Sequence, residues 1–108
     1  MGWKRRAILI EWMIQLAFEF KMSRDSVYIA INLVDNYFQS THHLPTSEFQ
    51  LAGATALFIA GKLDLERPIS SQKFADGTKN RYPCEDIKEM EIKMLKVLYV
   101  LYRLYRLL

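Results

Sequence analysis

Four charged residues stand where the helical repeat would put apolar ones, and they are the side chains best placed to do chemistry. Arg6 precedes Leu9 by three residues, Ile10 by four and Met13 by seven, so it lies on the inward stripe of a first helix. Asp35 follows Ile31 by four and Tyr28 by seven, at the edge of the stripe of a second helix. A guanidinium and a carboxylate so placed can satisfy each other as a fork, whereas either one buried alone carries a large penalty. The spacing equally allows two partly exposed charges that never meet. Lys62 ends the most apolar stretch of the chain, and Glu91, four after Ile87 and four before Leu95, interrupts another apolar seam. Lys62 and Glu91 are thus a second candidate pair. They form either an internal salt bridge or two anchors on a surface where another protein supplies the counter-charges, and spacing does not choose between these.

Catalytic chemistry is the weakest reading. There is no glycine-rich phosphate loop, no nucleophile with its base and no metal-ligand spacing, so neither an enzyme nor a cofactor, metal or small-molecule substrate is expected. His42 and His43 with Cys84 are too scattered, and too polar in setting, to suggest zinc.

The elements that must hold these charges are all helical. Leu51 to Leu63 is apolar on every face until Lys62, and its apolar run is far short of the roughly 20 residues that cross a bilayer, so it reads as a central core helix. Pro45, Thr46 and Ser47 signal its start, and Ala52, Gly53, Ala56 and Ala60 let neighbours come close. A first helix spans about residues 4–20, with Leu9, Met13, Leu16, Ala17 and Phe20 inward. A second follows the N-cap candidate Ser23 to about Gln39, with Val27, Ala30, Ile31, Val34 and Phe38 inward. Pro68 closes the next connection, and Ser70 caps a short helix of little apolar surface that Gly77 stops. A last helix runs over about residues 84–98, with Ile87, Met90, Met94, Leu95 and Leu98 on one face. The fold class is all-α, a five-helix bundle around a buried third helix.

Bulk properties agree with one packed domain. The chain has 108 residues, 51% of them hydrophobic and 25% charged, which suits a core without staples. The single Cys84 and the lack of a signal-peptide pattern favour a reducing nuclear or cytoplasmic setting. A net charge of +3 is spread too thinly for nucleic acid, Lys4-Arg5-Arg6 being the only basic run.

Four blocks of the chain together resemble the cyclin box, the N-terminal helical repeat of cyclins, over roughly residues 4–98. RRAILIEWMIQL is similar to the first-helix signature, AINLVDNYF to the second-helix motif, FQLAGATALFIAGKLDLERP to the third helix and its exit, and EMEIKMLKVL to the fifth helix. The resemblance implies a regulatory subunit that binds and activates a cyclin-dependent serine/threonine kinase in cell-cycle control. It matches Arg6 and Asp35 to a structural ion pair, and Lys62 and Glu91 to kinase contacts, with Ile59, Leu63 and Leu95 adding apolar area; Ile59 and Leu95 read equally well as plain core. It also implies a docking patch for Arg-x-Leu substrates or inhibitors at Ile8, Leu9, Trp12, Gln15 and Gln50. Gln15, as in mitotic B-type cyclins, replaces a glutamate that in some cyclins receives the motif's basic residue. A cyclin-fold scaffold or transcriptional adaptor, binding proteins or nucleic acid without activating a kinase, is the alternative.

The chain departs from the family pattern at three places. Arg5 stands where the groove often has an apolar residue, LeuAspLeu follows the lysine where Phe-Glu-Glu is common, and residues 99–108 form an amphipathic tail in place of a second repeat. The stripe Leu98, Leu101, Tyr102, Tyr105 and Leu108 is expected to extend the last helix and pack across the bundle, and two arginines are a thin basis for membrane attachment. The chain is accordingly a fragment, a divergent product or a single-box cyclin.

Overall fold

The computed structural model describes residues 2–41, 45–64, 69–79 and 81–107. Among them are five α-helices and no strand: α1 Trp3–Glu19, α2 Arg24–Ser40, α3 Phe49–Asp64, α4 Ser71–Gly77 and α5 Cys84–Leu107, with a 3₁₀ turn at Thr46–Glu48 leading into α3. Every other helix packs against α3, whose residues 51 to 61 are all buried, as a helix apolar on all faces demands. Thr55, in the middle of that run, satisfies its hydroxyl by donating to the Leu51 carbonyl at 2.7 Å. No described helix is long and apolar enough to cross a membrane.

Local chemistry sets the helix ends. Ser23 caps α2 by accepting from the Ser26 amide at 3.1 Å, and Ser70 caps α4 by accepting from the Lys73 amide at 3.2 Å. The end of α1 is a Schellman motif, with the Met22 amide donating to the Ala17 carbonyl and the Lys21 amide to that of Phe18, and Lys21 takes the left-handed conformation at φ 56°.

Several expectations are revised. The buried line of α2 is Ser26, Ala30, Val34 and Tyr37, so Val27, Ile31 and Phe38 sit half-buried at its flank. Helix α4 buries more than its composition suggests, because Phe74 is fully enclosed between Phe20 and Phe58, with ring centroids 4.8 and 5.9 Å away. Helix α4 ends at Gly77 as expected; Gly77 itself keeps a helical backbone, and Lys79 takes the left-handed conformation at φ 57°. What Gly77 provides is closeness: a Cβ there would lie 2.7 Å from Leu16 Cδ1 and 3.2 Å from Phe20 Cζ. Gly53 does the same between α3 and α1, where a Cβ would lie 3.0 Å from Met13 Cγ.

Helix α5 continues unbroken through the tail to Leu107, but the tail does not pack as expected. Ile87, Met90 and Met94 are buried and Val97 half-buried, whereas Tyr99, Val100, Tyr102, Leu104, Tyr105 and Leu107 are exposed. Leu101 is half-buried, and Leu108 lies outside the described residues. The tail's arginines are engaged within the helix, Arg103 with Tyr99 and Arg106 with Tyr102, at 3.3 Å each.

Candidate protein-interaction faces

Arg6 reaches across from α1 to α2 as a fork. Its Nε and Nη2 donate to Asp35 Oδ1 and Oδ2, both at 2.8 Å. The pair is made but not buried, with side chains 47% and 28% exposed, so it is a surface clasp rather than an internal bridge. The hydrogen bond and charge of Asp35 raise the Arg6 pKa above its ordinary value.

Lys62 and Glu91 also meet. Lys62 Nζ, at the end of α3, donates to Glu91 Oε2 of α5 at 2.7 Å and stands 4.3 Å above the centre of the Phe58 ring. The lysine is 46% exposed and the glutamate 17%, so the residues pair with each other, and the pair is partly open to solvent rather than internal. Leu63, next to the lysine, is 71% exposed, and Leu95, one turn beyond Glu91, is 46% exposed. For Ile59 the structure favours the core over the interface. At 5% exposed it belongs to the core, because the helix turns it inward against its neighbours.

Immediately after this pair, Asp64 ties the exit of α3 to the start of α2. Its Oδ2 accepts from the hydroxyls of Ser23 at 2.6 Å and Ser26 at 2.7 Å, and those two hydrogen bonds hold its pKa below the usual carboxylate value. This knot was not anticipated. The only hint in the chain is a polar Ser26 on what becomes the buried line of α2.

On the other side of the bundle, Ile8, Leu9, Trp12 and Gln50 line one groove of about 310 Å³, together with Phe49 and the hydroxyl residues Thr46 and Ser47. Four of the five residues assigned to the docking patch therefore line one groove, but Leu9, 4% exposed, belongs to the core and contributes only to the groove's floor. Gln15 does not line it, and opens instead on the next concavity along α1, with Glu19, Asp76 and Lys79. Trp12 is half-buried against the core, and Tyr82 supports the groove's far wall by donating its hydroxyl to the Ser47 carbonyl. Burial pushes the Tyr82 phenol above its ordinary pKa and so keeps that donor protonated. Arg5, expected at the groove, lines it and donates to Thr46 Oγ1 at 3.1 Å; Arg81, not anticipated from the sequence, lines it too and donates to Gln50 Oε1 at 3.0 Å.

Among the described residues there is no cluster of metal-ligating side chains, and Cys84 is engaged with the Ser71 hydroxyl at 3.0 Å. His42 and His43 lie outside the described residues.

Residues 1–101 match the family model for the cyclin N-terminal domain. The chain is similar to a G2/mitotic-specific cyclin-B1 of Carassius auratus, 38% identical over 83% of this chain and 22% of the relative. It is 33% identical to a G2/mitotic-specific cyclin-B1 of Xenopus laevis over the same shares. A G1/S-specific cyclin-E of Hemicentrotus pulcherrimus is 34% identical over 88% of this chain and 22% of the relative. The chain thus spans about a fifth of the length of the curated relatives it matches. With its five helices around a buried third, this chain belongs to the cyclin family by its N-terminal domain.

Proposed function

We propose that this domain binds a cyclin-dependent serine/threonine kinase and favours its active form, acting in the cell-cycle control for which its B- and E-type relatives are named. The observation that carries the reading is the Lys62–Glu91 contact, which joins the end of α3 to the body of α5 at the surface beside exposed Leu63 and Leu95. A surface ion pair is worth roughly 0.2–1 kcal/mol, so it can open cheaply and turn its donors and acceptor toward a partner. The two leucines then supply apolar area around polar anchors, the arrangement expected of an interface centre. The partner's gain would come from holding its C-helix inward, completing the lysine–glutamate ion pair that an active kinase requires. A regulator of this kind shifts the kinase population by binding one arrangement better than the other and performs no chemistry itself. The proposed setting is the nucleus and cytoplasm.

The groove under Trp12 is proposed as a second contact, for short segments of substrates or inhibitors. The leucine of an Arg-x-Leu motif suits its floor of Ile8, Leu9, Trp12 and Phe49.

One observation favours the alternative of a scaffold or adaptor without kinase activation. Lys62 and Glu91 already satisfy each other, and a pair that never opens contacts nothing else. Pull-down and kinase assays against a panel of cyclin-dependent kinases separate the two readings. Lys62→Ala and Glu91→Ala, each still helical by circular dichroism, should lose binding by about 2 kcal/mol or more, as truncated interface charges do. A parent chain that binds no kinase of the panel would favour the scaffold.

A further inference from the structure

The groove under Trp12 has a charge character that its apolar floor conceals. Its walls carry two guanidiniums, Arg5 from α1 and Arg81 from the segment before α5, and no carboxylate lines it. Each donates to a neutral oxygen, Thr46 Oγ1 or Gln50 Oε1, and neither is in a salt bridge among the described residues. A guanidinium has five N–H donors, so each arginine keeps most of its donors and all of its charge for something else. The neighbouring concavity shares Trp12, Gln50 and Arg81 with the groove and adds Lys79, again with no carboxylate among its lining residues. Two guanidiniums therefore border the groove's aromatic and aliphatic floor, and Lys79 stands farther out, where it also faces the concavity of Glu19 and Asp76.

We infer that this groove docks an acidic peptide segment, with an aliphatic or aromatic side chain seated beside Trp12 and a neighbouring glutamate, aspartate or phosphorylated residue held by Arg5 and Arg81. The inference rests on reading the groove as a peptide site and changes the charge of what it takes. A carboxylate or phosphate matches the planar fork of arginine and gains a charge-assisted hydrogen bond on arrival. A basic residue at the same place meets like charge. The carboxylates it would seek, Glu19 and Asp76, line the concavity beyond Trp12 with Gln15, and Lys79 stands among them.

The test is fluorescence-anisotropy titration of the full chain with two synthetic peptides that share a Leu-Phe core in a Gly/Ser frame and differ only in carrying glutamate or arginine two residues before the leucine. The glutamate peptide should bind more tightly, and its advantage should shrink as salt is raised, because exposed charges are screened. Arg5→Gln and Arg81→Gln, checked by circular dichroism, should each weaken the glutamate peptide by about two- to fivefold, with the double variant near the product, while the arginine peptide gains. Trp12→Ala should abolish both. Tighter binding of the arginine peptide would overturn the inference and leave the groove a peptide site. Binding of neither would remove the peptide site itself, and the inference with it.

Discussion

The two ion pairs of this domain look alike and are built differently. Each joins residues 29 apart in sequence, each ties one helix to another, and each is partly open to water. Arg6 and Asp35 meet through two parallel hydrogen bonds whose planar geometry fixes how α1 lies on α2. Lys62 and Glu91 meet at one point, an ammonium that can rotate, beside exposed leucines and over a phenyl ring. A fork resists exchange, whereas a point contact can be traded for another partner at little cost. On the proposed reading the first pair serves the fold, and the second is the one traded to a partner.

Variants can break that distinction, and the largest effect is expected in the frame that both pairs depend on. Gly53→Val drives a branched side chain into Met13 and Leu9, where even a Cβ would sit 3.0 and 3.1 Å from their carbons. Overpacking of this kind costs about 1–3 kcal/mol, read as a lower midpoint in urea. It should also loosen the Arg6–Asp35 clasp by lifting α1 from α3.

A smaller loss is expected from Asp35→Ala, because the clasp is half-exposed and its charges are screened by water. Arg6→Met on top of Asp35→Ala should add almost nothing, since the partner is already gone. A double-mutant cycle of melting temperatures checks the coupling, and additive losses would mean that the fork does not act as a unit.

How much of this was legible in the sequence follows from what each feature rests on. Helix α3 was legible because a short helix apolar on every face belongs at the centre of a helical bundle, and Ser23 and Ser70 because capping is local. Both ion pairs were legible as candidates, since a charge on an inward stripe needs a partner, but their exposure was not, because it depends on where the neighbouring helices stop. Gly77 was legible as the end of α4, but its close approach was not, because only the position of Leu16 and Phe20 reveals it. The packing expected of the tail failed because an apolar stripe says that a helix wants a partner without supplying one. Arg81 as a wall of the Trp12 groove lies 69 residues from Trp12, a separation that no helical periodicity spans.

The smallest effect is one of pH. Asp64 titrates below its ordinary value of 3.8 because Ser23 and Ser26 donate to its ionised form. A carboxylate whose folded pKa is depressed contributes stability that is fully present above the unfolded value and is lost as pH falls through the folded one. Ser26→Ala removes one donor and moves the folded value back toward the unfolded one. Its melting temperature should therefore change less than the parent's between neutral and strongly acidic solution. An unchanged acid response would mean that these hydrogen bonds do not set the titration of Asp64.

The central claim is that Lys62 and Glu91 serve a kinase partner as well as each other, and a charge swap separates those roles. Lys62→Glu combined with Glu91→Lys preserves an ion pair between α3 and α5 but presents every partner with reversed charges. The account predicts a swapped chain that melts close to the parent and binds kinase at least about 30-fold more weakly, in line with the roughly 2–5 kcal/mol lost when an interface charge pair is broken. A swapped chain that binds and activates the kinase as well as the parent would contradict it, and would leave the pair as a stitch between two helices.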